Sequence, residues 1–298
     1  MSGPLPISIV VPTYERNDVL RITLPSLLAQ GVSEILLVND GGREDPADVV
    51  ASLVPSDARV RVLDLGSNRG SPAARNAGAE AASSPWVLFS DDDVVLGDLY
   101  AATLLRDARA SEADLAAGRR LWLRRGETPQ QALHREPRRV EARHLVDRRH
   151  VAYDDEAAFE RDLVLPLIGA VMLVRRELAC EVRYEEELYR RTGWREETDF
   201  QLRALRSGAR ALACPHAVCF HLPKPSVGRR GGQRAGQVLR YEWHLFRNNV
   251  RFLRRHLATL RDELGFSPGR TPVLGALRAY FGFRVRSKIR HMLGGDGP

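Results

Sequence analysis

The stretch Pro85-Trp-Val-Leu-Phe-Ser-Asp-Asp-Asp-Val-Val95 decides how the rest of the chain is interpreted. Its apolar first half has the residue types of a buried strand, and three consecutive carboxylates follow. Adjacent like charges repel one another, so residues 91–93 need a positive partner unless they form a solvated turn or a helix cap. A divalent cation is the simplest such partner, because clustered oxygen ligands bind it well.

Strands and helices alternate up to this stretch. Short apolar segments predict strands at residues 7–11, 34–38, 59–65 and 86–90. Helical patterns are found at residues 19–28, 45–53, 72–82 and 99–109. Short turns between alternating elements favour right-handed crossovers and a parallel sheet. The predicted fold class is therefore α/β, with a Rossmann-like, mainly parallel sheet flanked by helices.

Composition excludes several classes of protein. The 298 residues are 44% hydrophobic, which is enough for a sizeable core and argues against a disordered chain. The formal net charge of +7 comes almost entirely from arginine, because Lys224 and Lys288 are the only lysines. Three cysteines without a CxxC spacing predict a reducing compartment. With neither a signal-peptide pattern nor an apolar run long enough to cross a bilayer, we expect a cytoplasmic protein.

The second half of the chain is less regular. Strands are predicted at residues 115–123, 163–174 and 209–220, and a helix at residues 196–207. Residues 124–161 are crowded with charge and have little periodicity. This charged excursion is either a plain surface insertion or a mobile lid.

The domain division follows from this pattern. We assign residues 1–230 to one domain, with a nucleotide-binding half at 1–110 and an acceptor-binding half at 111–230. Residues 231–298 form a C-terminal helical extension whose last segment is basic and amphipathic. That segment either lies on anionic lipid as a peripheral membrane contact, packs against the main domain, or joins a second subunit in a homodimer.

Carboxylates recur where predicted parallel strands end. Asp40 follows the second strand, residues 91–93 follow the fourth, and Arg75 begins the third helix. The carboxyl ends of parallel strands lie along one edge of a sheet, so these side chains can approach one cleft. A base and ribose near Asp40 would fit together with a diphosphate neutralised by Arg75 and by Mg²⁺ or Mn²⁺ on the aspartates. The pattern predicts a site for a nucleoside diphosphate sugar.

Four motifs in the first half resemble the successive signatures of family 2 glycosyltransferases. They are Val10-Val-Pro-Thr-Tyr-Glu-Arg16, Leu37-Val-Asn-Asp-Gly-Gly42, Asn68-Arg-Gly70 with Ala74-Arg-Asn-Ala-Gly78, and Ser90-Asp-Asp-Asp93. The likeness continues more loosely through residues 169–172, 196–200, 221 and 247–248. It implies an inverting enzyme with the GT-A fold, similar to rhamnosyltransferase-like members, with a Mg²⁺ or Mn²⁺ cofactor.

The resemblance also implies roles for individual residues. The nucleotide-sugar site would comprise Pro12, Thr13, Tyr14 and Glu15 beside the nucleotide, Asp40 on the base, Arg75 in the nucleotide pocket, and Asp91 and Asp92 near the ribose. Asp93 would be the principal metal ligand, and Asp91 would assist it. His221 resembles a histidine that some members place near the metal and diphosphate. A buried imidazole satisfied by hydrogen bonds is the alternative for His221.

The resemblance assigns the catalytic base to the second acidic motif. In this family that motif usually reads Glu-Asp, and its second carboxylate deprotonates the acceptor hydroxyl. Here it reads Glu196-Glu197, which makes Glu197 the expected base with a longer side chain. Glu196 and Asp199 remain competitors for the role. A negatively charged first helical turn, stabilised by the helix dipole, is the structural alternative for all three.

The function predicted from these features is a metal-dependent inverting glycosyltransferase. Its donor would be a UDP, dTDP or GDP sugar, and its acceptor would be a hydroxyl on a small molecule, a saccharide or a lipid-linked glycan. We expect no specific nucleic-acid partner. The alternative is a basic module on an inactive GT-A scaffold that binds nucleotide, nucleic acid or an anionic membrane through its arginines.

Overall fold

A computed structural model describes residues 3–189, 194–223 and 238–292, and within the last range the side chains of residues 240–282. The first part of the chain alternates strands and helices as predicted. The elements are β1 (Leu5–Thr13), α1 (Asn17–Leu28), β2 (Val32–Asn39), α2 (Pro46–Leu53), β3 (Val60–Asp64), α3 (Ser71–Ala81), β4 (Trp86–Phe89), β5 (Val94–Leu96), α4 (Tyr100–Ala110) and β6 (Leu115–Trp122). The short strand β5, directly after the aspartates, was not predicted.

The second part contains shorter elements and two long helices. They are α5 (Pro129–His134), β7 (Val146–Asp147), β8 (Ala152–Tyr153), β9 (Leu163–Val164), β10 (Met172–Arg175), α6 (Arg176–Val182), α7 (Glu196–Arg206), β11 (Ala211–His221), α8 (Val238–Ala258) and α9 (Pro272–Met292). A 3-10 turn at Ala142–His144 and a π-helical turn at Thr259–Glu263 complete the described part of the chain.

The main sheet has the strand order β3-β2-β1-β4-β10-β6-β11-β5, and β9 pairs with β11. The pairs β2–β3, β1–β2, β1–β4 and β6–β11 are parallel. Strand β10 runs antiparallel between β4 and β6, and β5 runs antiparallel to β11. The predicted α/β class with a mainly parallel, helix-flanked sheet is confirmed.

Both faces of the sheet are buried, which explains why its central strands are apolar almost throughout. On one face, Leu20, Leu24 and Leu104 from α1 and α4 pack against strand residues. On the other face, α3, α6 and α7 pack against the alternate strand residues. Phe89 of β4 and Phe200 of α7 belong to this second cluster. The two helical layers hold the strand ends at one edge, where the polar residues lie.

The prediction of a single strand at residues 163–174 is wrong. The segment forms two separate strands, β9 and β10, joined by a loop that contains Pro166 and Gly169. Proline has no amide hydrogen for a sheet ladder, so the strand ends before it. An unbroken apolar run does not distinguish one long buried strand from two short ones with a buried loop between them.

The charged excursion at residues 124–161 is more ordered than its composition suggested. It begins with helix α5, which has a capping box between Thr128 and Gln131. It continues through the antiparallel pair β7–β8. Arg120 of β6 bonds to Asp155 at 2.8 Å, and the Arg119 guanidinium bonds to the backbone carbonyls of Glu156 and Ala157 at 2.9 Å. These contacts attach the excursion to the sheet.

The C-terminal helices pack on the main domain through a third apolar cluster. Phe252 and Leu253 of α8 and Ala276 of α9 lie in this cluster with Tyr189 and Leu202. The boundary predicted between residues 230 and 231 lies outside the described residues. Among the side chains of α9 described up to residue 282, the large exposed apolar ones lie on one stripe: Val273, Leu274, Leu277 and Phe281. The lipid or subunit contact expected of this segment stays a prediction.

Every described helix, within residues 3–189, 194–223 and 238–292, is too short or too polar to cross a bilayer. The three cysteines are free, with Cys214 and Cys219 buried in the core.

Close packing of α3 on β1 gives a first testable prediction. A Cβ atom at Gly78 would overlap the side chain of Val10, which is fully buried. We expect Gly78→Ala to lower the free energy of unfolding by about 1–3 kcal/mol, the usual cost of overpacking. Urea denaturation measures this loss. Val10→Ala removes the overlapping methyl groups, so the double variant should lose less stability than the sum of the single variants. Strict additivity would contradict the proposed contact.

Candidate active site

The polar strand ends surround one cavity of about 890 Å³. It lies at the carboxyl ends of β1, β2 and β4, beside the first turns of α3 and α7. Ten of the eleven predicted site residues line it: Pro12, Thr13, Tyr14, Asp40, Arg75, Asp91, Asp92, Asp93, Glu197 and His221. The topology therefore brings together residues that are up to 209 positions apart in the chain.

Glu15 is the predicted site residue that does not line this cavity. Its backbone has a left-handed φ of 55°. Its carboxylate accepts a hydrogen bond from the backbone N–H of Arg43 at 2.5 Å. Glu15 therefore fixes the loop after β2, while its neighbours Tyr14 and Arg16 line the cavity.

Arg75 is the central cation of the site, and its side chain is only 4% exposed. Its guanidinium forms a close ion pair with Glu196 and lies 2.7 Å from an Asp91 oxygen and 3.4 Å from a Glu197 oxygen. Burial opposes the charge on the guanidinium, but the three carboxylates raise the pKa of Arg75 well above its ordinary value. Arg75 thus joins the end of β4 to the start of α7.

The three consecutive aspartates have different partners. Asp91 pairs with Arg75, whereas Asp92 and Asp93 both pair with Arg16, which lies 3.2 Å from Asp93. Burial alone would raise the pKa of Asp91, but Arg75 and other positive groups hold it below its ordinary value. The pKa of Asp92 is raised to about 7, mainly by burial. Asp91 and Asp93 also raise this pKa, whereas Arg16 lowers it. The positive partner that the sequence required is thus present as two arginines.

Asp40 and Thr13 line the cavity where β1 and β2 end. This is the side at which the sequence predicted the nucleotide. The Asp40 carboxylate accepts hydrogen bonds from the backbone N–H groups of Arg69 and Gly70, at 2.7 and 2.8 Å. These bonds fix the loop that leads into α3, and burial raises the pKa of Asp40. The Thr13 hydroxyl is buried and has no hydrogen-bond partner among the described residues. A buried hydroxyl of this kind is available to a ligand.

His221 and Asp93 form a pair that suits a divalent cation. The Nε2 atom of His221 lies 3.3 Å from Asp93 Oδ1, and Nδ1 lies 2.8 Å from the carbonyl oxygen of Leu222. Because a carbonyl only accepts, Nδ1 carries the proton in the neutral ring and Nε2 presents its lone pair to Asp93. Bonds of about 2.1 Å at right angles place two ligand atoms about 3.0 Å apart, so the observed spacing fits one shared ion.

The sheet itself sets the spacing of this pair. His221 ends β11 and pairs with Val94 of β5, and the backbone N–H of Leu222 donates to the Asp93 carbonyl at 2.9 Å. The His221 ring also stacks on Trp122, with 3.9 Å between ring centroids. Asp93 and His221 therefore supply an oxygen and an imidazole nitrogen of the kinds that Mg²⁺ or Mn²⁺ accept. Asp91 instead pairs with Arg75 at 2.7 Å, and the ligand atoms of Asp91, Asp93 and His221 do not all lie within 4.8 Å of one another.

A second cavity of about 680 Å³ adjoins the first. The charged excursion forms much of its wall. Its lining includes Arg138, Asp147, His150, Tyr153, Asp154 and Glu156. The residues that line both cavities are Arg120, Trp122, Ala170, Trp194 and Glu197. Glu197 thus lies at the junction between the two.

The three acidic residues of α7 have distinct surroundings. Glu196 is buried, pairs with Arg75 and accepts a hydrogen bond from the Ser71 hydroxyl at 2.7 Å. Asp199 is fully buried and is bound by Tyr189, His256 and Arg203, outside both cavities. Only Glu197 keeps an exposed fraction, 25% of its side chain, and burial raises its pKa despite nearby Arg75.

Several residues of the site were not singled out from the sequence. Arg16 and Ser71 lie within or beside the motifs, but their ionic and hydrogen-bond roles were missed. Arg120, Trp122 and Trp194 were missed because each lies on a part of the chain without a recognisable motif. Only for Arg16 was a signal available, because three adjacent carboxylates require nearby cations.

A family model described as glycosyl transferase family 2 matches residues 8–182. This match covers more than half of the 298 residues, so the chain belongs to glycosyl transferase family 2. The family expected from the four motifs is confirmed. The likeness to rhamnosyltransferase-like members stays a prediction.

Two solved structures share the fold over nearly the whole chain. A mannosyltransferase, PcManGT from Pyrobaculum calidifontis in complex with GDP-Man and Mn²⁺, has a TM-score of 0.56 at 16% identity and covers 94% of this chain and 72% of its own. TarS 1-349 of S. aureus in complex with UDP has a TM-score of 0.54 at 15% identity, and the match covers 94% of this chain and 91% of the TarS chain. At this identity the likeness shows the fold alone, which is the GT-A fold.

This chain matches only part of the length of each curated relative. YibD of Escherichia coli (strain K12), an uncharacterized glycosyltransferase, is 32% identical over 133 residues, or 43% of this chain and 38% of the relative. EpsJ of Bacillus subtilis (strain 168), also an uncharacterized glycosyltransferase, is 32% identical over 111 residues, or 37% and 32%. The validoxylamine A glucosyltransferase of Streptomyces hygroscopicus subsp. limoneus is 35% identical over 108 residues, or 33% and 23%. The chain thus matches about a third of the first two relatives.

The buried carboxyl of Glu196 predicts a pH dependence of stability. Burial raises the pKa of Glu196 to about 8 from an ordinary 4.5, against the effect of Arg75. Glu197 and Asp91 raise this pKa as well, so the carboxyl cluster around Arg75 retains a proton that the unfolded chain has lost, and the unfolding free energy falls as the pH rises from about 5 to 8. Glu196→Gln keeps a neutral side chain, so its stability relative to wild type should increase over this interval.

Urea denaturation at pH 5 and pH 8 measures this difference. Glu177→Gln, at an exposed position of α6, removes a glutamate of the same kind and serves as the control. A Glu196→Gln difference that is the same at both pH values would contradict the raised pKa.

Proposed function

We propose that this chain transfers a sugar from a nucleoside diphosphate sugar to an acceptor hydroxyl with inversion at the anomeric carbon. The observation that carries the proposal is the position of Glu197 at the junction of two cavities. One cavity is lined by residues 91–93, Arg16 and Arg75, a set suited to a diphosphate and a cation. None of these five residues belongs to the described lining of the other cavity. A donor and an acceptor bound in the two cavities would meet at Glu197.

The donor occupies the larger cavity. The orphan hydroxyl of Thr13 and the loop fixed by Asp40 lie where the nucleoside would bind. Arg16 and Arg75 line this cavity, and both already contact the aspartates. The two solved structures that share the fold, one in complex with GDP-Man and one with UDP, support a nucleoside diphosphate as the ligand.

Asp93 and His221 would hold the divalent cation, Mg²⁺ or Mn²⁺, and Asp91 would assist from farther away. Their ligand atoms are the hard oxygens and imidazole nitrogen that such ions accept. When bound, the ion neutralises charge on the leaving diphosphate as a Lewis acid. The Mn²⁺ complex of the mannosyltransferase from Pyrobaculum calidifontis, which shares the fold, supports the use of a divalent cation.

Glu197 acts as the general base. Its carboxylate takes the proton of the acceptor hydroxyl, and the acceptor oxygen forms a bond to the anomeric carbon from the face opposite the diphosphate. The bond from that carbon to the diphosphate oxygen breaks, and the diphosphate leaves with the electron pair. Glu196 is already committed to Arg75 and Ser71, and Asp199 to a buried network. Glu197 is therefore the carboxylate that can reach an acceptor.

The acceptor occupies the second cavity. The aromatic rings of Trp122, Tyr153 and Trp194, among carboxylates and arginines, suit the apolar faces and hydroxyl groups of a saccharide or another polyhydroxylated small molecule. This surface would act in the cytoplasm, on a free acceptor or on a lipid-linked glycan presented at the membrane. The exposed stripe of α9 is the surface that would contact lipid or a second copy of the chain.

Replacement of the base should separate donor binding from chemistry. We expect Glu197→Gln to lower kcat by about 10²–10⁴, the usual contribution of a positioned base, while the KM for the donor changes little. Transfer assays with a panel of UDP, dTDP and GDP sugars and saccharide acceptors measure both constants. Glu177→Gln, the same change at an exposed position outside both described cavities, should keep the wild-type kcat. A near wild-type kcat for purified, folded Glu197→Gln would rule out this role.

The cation site gives an independent binding test. Calorimetric titration should show that a nucleoside diphosphate binds more tightly with Mn²⁺ or Mg²⁺ than with EDTA. Asp93→Asn should abolish most of this metal dependence because it removes one charge from the ligand set. Asp64→Asn, a change of the same kind at an exposed carboxylate on the end of β3, is the control. Salt-sensitive binding of DNA or anionic vesicles, indifferent to nucleotide and metal, would instead favour the basic binding module.

A further inference from the structure

The first turn of α7, which carries Glu197, is anchored at two points by one face of α8. We propose that His256 and Asn249 of α8 are positioning residues that hold this turn, and with it Glu197, at the junction of the two cavities. The inference rests on the proposed function of Glu197 and assigns the C-terminal helices a part in it. Neither His256 nor Asn249 belongs to the described lining of either cavity, so both act through α7.

The first anchor is the fully buried carboxylate of Asp199. One oxygen lies 2.7 Å from Nε2 of His256 and accepts a hydrogen bond from the Tyr189 hydroxyl at 3.0 Å. The other oxygen accepts a hydrogen bond from Arg203 at 2.7 Å. Burial alone would raise the pKa of Asp199, but the bonds from His256 and Arg203 hold it below its ordinary value. The carboxylate is thus an ionised anchor that is saturated by partners.

The second anchor is Arg195, the residue directly before α7. Its backbone has a left-handed φ of 80°, an uncommon conformation for a residue with a side chain. Its buried guanidinium donates to Asn249 Oδ1 at 2.9 Å, to the carbonyl of His150 at 2.9 Å, and to the carbonyl of Val151. With these neutral partners, burial lowers the pKa of Arg195 to about 10. The bonds tie the start of α7 to both α8 and the acceptor-side excursion.

The two anchors bracket the proposed base. Arg195 precedes α7 and Asp199 is the fourth residue of the helix, so Glu197 lies midway between them. Asn249 and His256 are seven positions apart on α8, which places them two turns apart on one face. Phe252 lies on the same face and is fully buried. Its ring centroid is 5.1 Å from Cζ of Arg195 and 5.1 Å from the ring centroid of His256. One rigid helical face therefore holds both ends of the turn.

A positioning role differs from simple structural support in what it controls. Loss of general packing would lower stability and affect donor and acceptor binding together. Release of one anchor would move Glu197 relative to the reacting atoms, and a displacement of about 1 Å can cost about 10²-fold in rate. Tyr241 and Leu245, near the start of α8, line the donor cavity, but they lie at least one turn before Asn249 and more than two turns before His256. The aspartates, Arg16 and Arg75 make none of their described bonds to α8, so the donor cavity should keep them.

The experiment compares three single variants of the full-length chain. We expect His256→Ala to lower kcat by about 10- to 100-fold with the donor KM within about twofold of wild type. His256→Gln, whose side-chain amide can donate to Asp199, should recover most of this loss. Arg254→Ala, at an exposed position two residues earlier on α8, should behave as wild type. A wild-type kcat for folded His256→Ala, or equal losses in the alanine and glutamine variants, would overturn the proposal.

A second measurement keeps the inference separate from the transfer reaction. Hydrogen exchange of the α7 amides should accelerate in His256→Ala and in Asn249→Ala, while the amides of β1 and β4 keep wild-type exchange. Unchanged exchange in α7 would refute the anchoring even for an inactive protein. If the wild-type chain transfers no sugar while α7 exchange responds as expected, the proposed function fails and the anchoring stands. If His256→Ala does not fold, Asn249→Ala carries the same kinetic and exchange tests.

Discussion

The buried ion pairs of Arg75 are the interaction on which the site depends. Three carboxylates from two distant parts of the chain meet in a region largely removed from water, where like charges repel strongly. The guanidinium contacts Asp91 from the end of β4 and both glutamates from the start of α7. Removal of this cation would leave several buried charges uncompensated, which is far costlier than loss of a surface pair. The two halves of the site are thus held together by one charge.

Arg16 repeats this arrangement on the other side of the aspartates. It neutralises Asp92 and Asp93, while Thr23 donates a hydrogen bond to the Asp92 carbonyl at 2.9 Å and fixes the backbone between them. The aspartate run is thus divided by its partners: Asp91 faces α3 and α7, and the other two face α1. Side chains that look equivalent in the sequence acquire separate surroundings because the strand end turns between two helical layers.

The sequence predicted the first half of the fold well because its signals are local. Alternating strands and helices, and polar residues directly after strand ends, placed Asp40, Arg75 and residues 91–93 in one cavity. The insertion of β10 between β4 and β6 is a long-range pairing that no local pattern contains. The distinction among Glu196, Glu197 and Asp199 likewise depends on burial and on partners such as Arg75 and His256. Those partners lie more than 50 residues away, beyond the reach of pattern and spacing.

The short strand β5 has a consequence for how the site tolerates change. It directly follows Asp93 and pairs with the end of β11, so the spacing between Asp93 and His221 is set by the backbone ladder. A pair preorganised in this way loses little conformational entropy when it is occupied. The wall of the second cavity, in contrast, is built largely from the charged excursion between β6 and β9. Insertions and substitutions in the excursion can therefore reshape that cavity over evolutionary time while the ladder keeps the spacing of Asp93 and His221 unchanged.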